Sequence, residues 1–301
     1  MMSRTIGQVI LWIGLVGLNG ALLWSRDPHL AQTTIEGVHT ETRLIVLPGG
    51  RIAVEILRPT QTAQNWPRDP RPAVLWIHGG SWRGGSAALG TRGADSTAAR
   101  LARAGIVVVA VDYTLARPGA PSWPMVMRDL RSTLWWIRRE ARTLGVDPDR
   151  IGVLGFGAGG HLAALLGTMP DELDQGISSK PRVVVDFYGP TDLAGLERDR
   201  NLAHDPIAVF LGAGDRHAAS PLEHVSADDP PHLILHGTAD LWTPIEQSQR
   251  LAARLEGLGV RVRLIEVQGA RHGFEAGVEF PRHLDLLPEI LAFLKSVWNA
   301  P

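Results

Sequence analysis

Ile151-Gly152-Val153-Leu154-Gly155-Phe156-Gly157-Ala158-Gly159-Gly160-His161-Leu162-Ala163-Ala164 passes from a short apolar run, through glycines at alternate positions, into residues of helical composition. An apolar run this short, closed by glycine, reads as a buried strand. A strand that turns sharply into a helix presents the residue at its apex beyond the end of the sheet. Upstream, Asp147-Pro148-Asp149-Arg150 is a turn signal, and Gly145 stops a helical pattern running from Trp123 to Leu144. Working outward, Ala73–Ile77 and Ile106–Val111 are further apolar runs, and Ser96 to Ala104 has helical spacing with Gly105 as its stop. Leu44–Leu47 and Ile52–Leu57 flank Gly49-Gly50 as an opening antiparallel hairpin. Val183–Tyr188, Leu233–His236 and Val262–Glu266 are expected strands, with helices near Ile245–Leu255 and Leu286–Val297. Strand and helix alternate without repeats, so the fold class is α/β, a mostly parallel central sheet with helices on both faces. The segment between Asp192 and Asp229 is the least regular and is expected to form a small cap.

The 301 residues fit one large domain from 39 to 301, preceded by two segments of a different kind. Ile6 to Trp24 is apolar except for Gln8 and Asn19, and as a helix its 19 residues extend roughly 28 Å, enough to cross a bilayer. Residues 1–24 are therefore expected to be a signal anchor or a signal peptide. Arg4 on the leading side favours an extracytoplasmic domain, held by the membrane or secreted. Residues 25–38 then read as a polar tether. A formal net charge of -1 gives no reason to expect nucleic acid, and the absence of cysteine rules out disulfides and thiolate chemistry. A small neutral molecule is the better-fitting partner, with no cofactor expected.

Nucleophilic ester hydrolysis on such a sheet needs a serine in G-x-S-x-G, an acid, and a histidine, in that chain order, plus amides for the oxyanion. Gly155-Phe156-Gly157-Ala158-Gly159 has the glycines and puts Gly157 where the serine belongs. Asp240, in His236-Gly237-Thr238-Ala239-Asp240, lies just past an expected strand end; taken alone it reads more readily as a turn aspartate preceding the helix near Ile245. His272, in Ala270-Arg271-His272-Gly273-Phe274, follows the last expected strand; taken alone it reads more readily as a solvated loop histidine.

The run from Asp147 to Ala164 resembles the elbow of bacterial α/β-hydrolase esterases, of the hormone-sensitive-lipase-like and BD-FAE groups. So do His78-Gly79-Gly80-Ser81-Trp82, Val111-Asp112-Tyr113, Tyr188-Gly189-Pro190-Thr191-Asp192 and Ser220-Pro221-Leu222-Glu223-His224-Val225. The resemblance covers nearly everything after residue 40. It implies an α/β-hydrolase carboxylesterase with serine at the position of Gly157, Asp240 as acid and His272 as base. It also implies an oxyanion hole from the amides of Gly80, Ser81 and Ala158, since glycine lets backbone approach a carbonyl closely. Trp82, Trp242 and Phe156 are candidate pocket walls. The Ser81 hydroxyl is the nearest substitute nucleophile, but from the oxyanion loop it would approach the carbonyl from the wrong side. His78 is expected to brace that loop, His161 to be packed and hydrogen-bonded, and Asp192 to be structural. His224, His232 and His236 lack the spacing of a metal site.

Glycine carries no atom that can attack a carbonyl, so the acyl-enzyme route is closed at position 157. Three readings stay open: an esterase carrying a replaced nucleophile, a non-catalytic binding protein, and a slow hydrolase in which His272 activates water directly.

Overall fold

The computed structural model describes residues 35–60, 70–91, 93–196, 205–278 and 283–299. The expected membrane segment and most of the tether lie outside these. Among the described residues no helix is long and apolar enough to cross a membrane.

The chain opens with β1 (Val38–Leu47) and β2 (Gly50–Pro59), the antiparallel hairpin expected around Gly49-Gly50. There follow β3 (Arg71–Ile77), the short α1 (Ala87–Thr91), α2 (Thr97–Arg103) and β4 (Val107–Val111). Next come α3 (Met125–Arg139), α4 (Ala141–Leu144), β5 (Val146–Phe156) and α5 (Ala158–Thr168). The small hairpin β6 (Leu173–Asp174) and β7 (Ile177–Ser178) precedes β8 (Val184–Phe187), α6 (Pro206–Leu211) and α7 (Pro221–His224). The chain closes with β9 (His232–Gly237), α8 (Glu246–Gly257), β10 (Val262–Val267), the pair β11 (Gly277–Val278) and β12 (Leu284–Asp285), and α9 (Leu287–Trp298).

The main sheet has the order β1-β2-β4-β3-β5-β8-β9-β10. β1 and β2 are antiparallel to each other, β2 is antiparallel to β4, and the pairs from β4 to β10 are parallel. Strand alternation divides the core. Ala73, Leu75 and Ile77 of β3 face one layer with Leu130 and Leu134 of α3 and Leu162 of α5. Val74 and Trp76 face the other, with Leu101 of α2 and Ile290 and Leu294 of α9. Both faces of the central strands are covered, which is why these strands are continuously apolar rather than alternating.

Local chemistry sets the element ends. The Ser96 hydroxyl caps α2 by accepting from the amide of Ala99, and the chain leaves that helix through Gly105 at φ 102°. The single helix expected from Trp123 to Leu144 is two, because Glu140 leaves helical ψ. Helical spacing persists across the break, with Ala141 and Leu144 still buried, so the pattern gives no sign of it. The domain also begins earlier than the tether was expected to end: Ile35 and Val38 are buried in the core layer shared with α2. Their apolar side chains are fixed by packing against that layer, which composition alone does not reveal.

Candidate active site

Four parallel strands end beside one another and each releases one part of the site. The loop after β3 carries Gly79, Gly80, Ser81 and Trp82; the turn after β5 carries Gly157; the loops after β9 and β10 carry Asp240 and His272. All of these but Asp240, together with Phe156, Ala158, Tyr188, Pro190, Leu196, Pro206, Ile207, Trp242 and Thr243, line a cavity of about 420 Å³. Strand ends on one side of a parallel sheet are the usual place for a ligand in this class of fold.

Gly157 stands between the last residue of β5 and the first of α5 at φ 53° and ψ -113°. Its amide donates to the carbonyl of Phe187 (2.8 Å), and its carbonyl accepts from the amide of His161 (2.9 Å). The bend is tight enough to demand glycine on both sides: a Cβ at Gly155 would lie 2.1 Å from the carbonyl oxygen of Gly159. Ala158 opens the helix, so its amide has no partner within the helix and faces the cavity end of α5.

A Cβ at position 157 would lie 3.2 Å from Nε2 of His272 and 3.7 Å from Cε2 of Tyr188. Across the same ring, Nδ1 of His272 is 2.7 Å from Oδ2 of Asp240. Because a carboxylate only accepts, the ring proton sits on Nδ1 and the lone pair on Nε2 points at the apex. Asp240 Oδ1 accepts from the amides of Trp242 and Thr243, each at 2.9 Å. Burial alone would raise the Asp240 carboxyl, but hydrogen bonds from His236, His272 and the Thr243 amide hold it well below the usual carboxylate range. The arrangement can therefore take a proton at Nε2 and hold the resulting imidazolium against a fixed negative charge.

The loop after β3 is built around close backbone contacts. Gly80 (φ 118°), Ser81 (φ 54°) and Trp82 (φ 58°) all have positive φ, and a Cβ on Gly80 would lie 2.3 Å from the carbonyl oxygen of Gly84. His78 braces this loop as expected, its Nδ1 donating to the carbonyl of Gly79 (2.8 Å) and its ring stacked on Tyr113. Tyr113 in turn donates to the His78 carbonyl at 2.9 Å. Ser81 is exposed at the cavity, in the loop rather than at the elbow.

Trp82 is only 4% exposed, stacked on Phe210 and donating from Nε1 to Nδ1 of His161 (3.1 Å). His161 passes its other ring nitrogen to the carbonyl of Ala219, and burial depresses it to about 4, so it is a neutral packing element. Phe156 stacks on Phe187 behind the elbow. Trp242, 82% exposed, stands at the mouth. Asp192 is tied to Arg250 at 2.6 Å, away from the cavity lining. His224 and His232 bond to backbone carbonyls, and no cluster of metal-ligating residues occurs among the described residues.

Sequence reasoning missed contributors from three parts of the chain. Tyr188 (φ 46°) walls the apex, its ring 4.6 Å from that of His272 and its hydroxyl donating to the carbonyl of Phe274. His236 lies under Asp240. Leu196, Pro206 and Ile207, from the segment expected to form a cap, close one side of the cavity. Only Tyr188 gave a signal, as the residue between a strand end and Gly189-Pro190.

Asp186, on β8 beneath the elbow helix, is fully buried; Oδ1 accepts from the Gly189 amide, and Oδ2 has no donor among the described residues. Burial pushes its carboxyl up to about 6, against the opposing pull of the Gly189 amide and His236. A raised carboxyl binds its proton in the folded state first, so its contribution to stability falls as pH rises from about 4 to about 6. Asp186→Asn should thus gain on the parent by about 2–3 kcal/mol between pH 4 and neutrality. Urea midpoints of both proteins at the two pH values measure this; parallel changes would show that Asp186 does not titrate there.

The BD-FAE family matches residues 57–255. The chain belongs to the BD-FAE family. Esterase LipC of Mycobacterium tuberculosis is 32% identical over 72% of this chain and 58% of LipC. Ethyl acetate hydrolase of Pseudomonas putida is 28% identical over 78% of this chain and 75% of its own. The chain spans about half the length of the first curated relatives it matches, 58%, 56% and 49% for LipC, LipQ and LipM. Among solved structures, Thermogutta terrifontis esterase 2 phosphoramylated by tabun superposes with a TM-score of 0.66 at 28% identity, covering 88% of this chain and 94% of the other. A truncated carbohydrate esterase from gut microbiota reaches a TM-score of 0.70 at 24% identity over 90% and 99% of the two chains, a likeness of fold. The fold is thus that of the α/β-hydrolases, and the family is one of carboxylic ester hydrolases. Within this BD-FAE domain, Gly157 stands at the sharp turn from β5 into α5.

Proposed function

We propose that the cavity binds a neutral carboxylic ester, that Asp240 and His272 are its acid and base, and that Gly157 closes the acyl-enzyme route. The observation that carries this is the His272 ring, which joins Asp240 at 2.7 Å on one side and on the other faces the 157 apex, its Nε2 3.2 Å from where a Cβ there would lie. The lining supports a neutral ligand: apart from His272 its side chains are aromatic, aliphatic or hydroxyl-bearing. The amides of Gly80, Ser81 and Ala158 are the oxyanion donors in this reading.

The short approach to Nε2 also favours a second activity at the same place, slow hydrolysis without a covalent intermediate. A water at the apex attacks the ester carbonyl while its proton passes to Nε2; the oxyanion collapses, the C–O bond to the alcohol breaks, and the leaving oxygen takes the proton back. Oxyanion donors and binding alone leave roughly 10³ to 10⁴-fold over water in serine hydrolases stripped of a triad member.

A short aryl acetate tests both. The expected result is saturable binding, no acyl adduct by mass spectrometry, and slow phenol release that disappears in His272→Ala. Release that persists in His272→Ala would remove the water route, and failure to bind would remove the ester reading.

The segment Ile6–Trp24 with Arg4 before it supports presentation of the domain outside the cytoplasm, as an anchored or secreted protein. Alkaline extraction of membranes from cells making the full chain separates the anchored form, which stays in the pellet, from the released one.

A further inference from the structure

Asp240 and Thr243 bound a four-residue turn, and one buried ring touches both ends of it. Nε2 of His236 is 2.8 Å from the carbonyl oxygen of Thr243 and 3.3 Å from Oδ2 of Asp240. Both neighbours are acceptors at that nitrogen, so Nε2 carries a proton: it donates to the Thr243 carbonyl, and Oδ2 of Asp240 is the second, longer acceptor of the same N–H. On the far side of the ring, Nδ1 meets the hydroxyl of Ser248 on α8 at 2.6 Å. His236 and Ser248 are both fully buried, and His236 is on β9, the strand that ends at this turn.

We propose that His236 is a positioning residue for the acid–base pair: its Nε2–H holds Oδ2 of Asp240 in the orientation that receives Nδ1 of His272, and Ser248 fixes the ring that supplies it. The two backbone amides on Oδ1 determine where the carboxylate sits, but they leave rotation of Oδ2 toward the ring governed by its other contacts. Those contacts are His272, which is the group being positioned, and His236. The other ionisable groups nearby do not replace it. Asp186 is itself an acceptor, and the Tyr188 hydroxyl is committed to the carbonyl of Phe274. The run from Ser248 through His236 and Asp240 to His272 thus links a helix on the sheet's flank to the apex at Gly157.

This inference rests on Asp240 and His272 being acid and base, and two variants of similar polarity test it. His236→Gln keeps an N–H donor at the place of Nε2; His236→Asn reaches only as far as Nδ1 and loses it. In the chain carrying Gly157, the low-field proton resonance of the His272 Nδ1–H should persist in His236→Gln and be lost or moved upfield in His236→Asn. In a Gly157→Ser background, His236→Asn should lower kcat by about 10 to 100-fold with KM held within about twofold, and His236→Gln should recover most of it. A parental resonance and kcat in His236→Asn would overturn the proposal, as would equal losses in the two variants, which would point to ring packing alone. Should His236→Asn fail to fold, Ser248→Ala takes its place: it leaves the ring, frees its orientation, and should weaken the same resonance, whereas no change in it would overturn the proposal. The resonance is read without turnover, so a silent Gly157→Ser enzyme would count against the ester reading and leave this test standing.

Discussion

Gly157→Ser is expected to hydrolyse short aryl esters roughly 10³-fold or more faster than the parent, with a burst equal to the enzyme concentration. His272 already stands beside the apex and is joined to Asp240. The serine Cβ would lie 3.2 Å from Nε2 and 3.6 Å from Cε1 of His272, closer than a side chain normally sits, so the ring must yield by a few tenths of an ångström. It can, because His272 is on a loop and is partly exposed, held on its far side by the bond to Asp240. The substitution is not free. At φ 53° and ψ -113° a Cβ strains the backbone, and the expected loss of stability is about 1–3 kcal/mol, read as a lower urea midpoint. A folded Gly157→Ser protein that neither bursts nor turns over would end the ester-hydrolase reading of the site. Activity of the parent equal to that of the serine variant would show that the apex residue is not the point of attack.

The unequal legibility of this site has a physical cause. The elbow is legible as a short apolar strand closed by glycines, and Asp240 and His272 each lie past an expected strand end, but it is the resemblance to the esterases that singles these two out from an ordinary turn aspartate and loop histidine. The glycines of the elbow and of the loop after β3 are legible for a related reason: backbone passes so close to backbone there that only glycine fits. His236 could not be read. It belongs to the strand, inside an apolar run, and its contact with the turn that follows depends on which way one ring faces. Leu196, Pro206 and Ile207 were equally hidden, since among its described residues the segment between Asp192 and Asp229 has only the short helices α6 and α7, and its sequence has no sustained period. The two-residue strands β6, β7, β11 and β12 are too short to carry any alternation.

The largest loss of stability should come from the smallest addition, Gly159→Ala. A Cβ there would lie 2.1 Å from the carbonyl oxygen of Ile77 and 2.6 Å from that of His78. Both obstacles are backbone at the end of β3, so no rotamer change relieves them, and α5 has to lift from the strand that it crosses. The expected loss is above about 4 kcal/mol, seen as a lowered urea midpoint or failure to accumulate folded protein. Gly257→Ala gives the control. It sits at the end of α8 with nothing within 4 Å of the added atom, and should stabilise by about 0.5–1 kcal/mol. The same methyl group therefore acts with opposite sign at the two positions. The elbow variant carries a functional consequence as well, because the His78 carbonyl that it strikes also receives the Tyr113 hydroxyl and leads into Gly79 and Gly80. Displacing that strand end moves the loop after β3 away from the apex, so in a Gly157→Ser background any folded Gly159→Ala protein should lose turnover out of proportion to its loss of stability. A midpoint matching the parent's would mean that α5 does not approach β3 this closely.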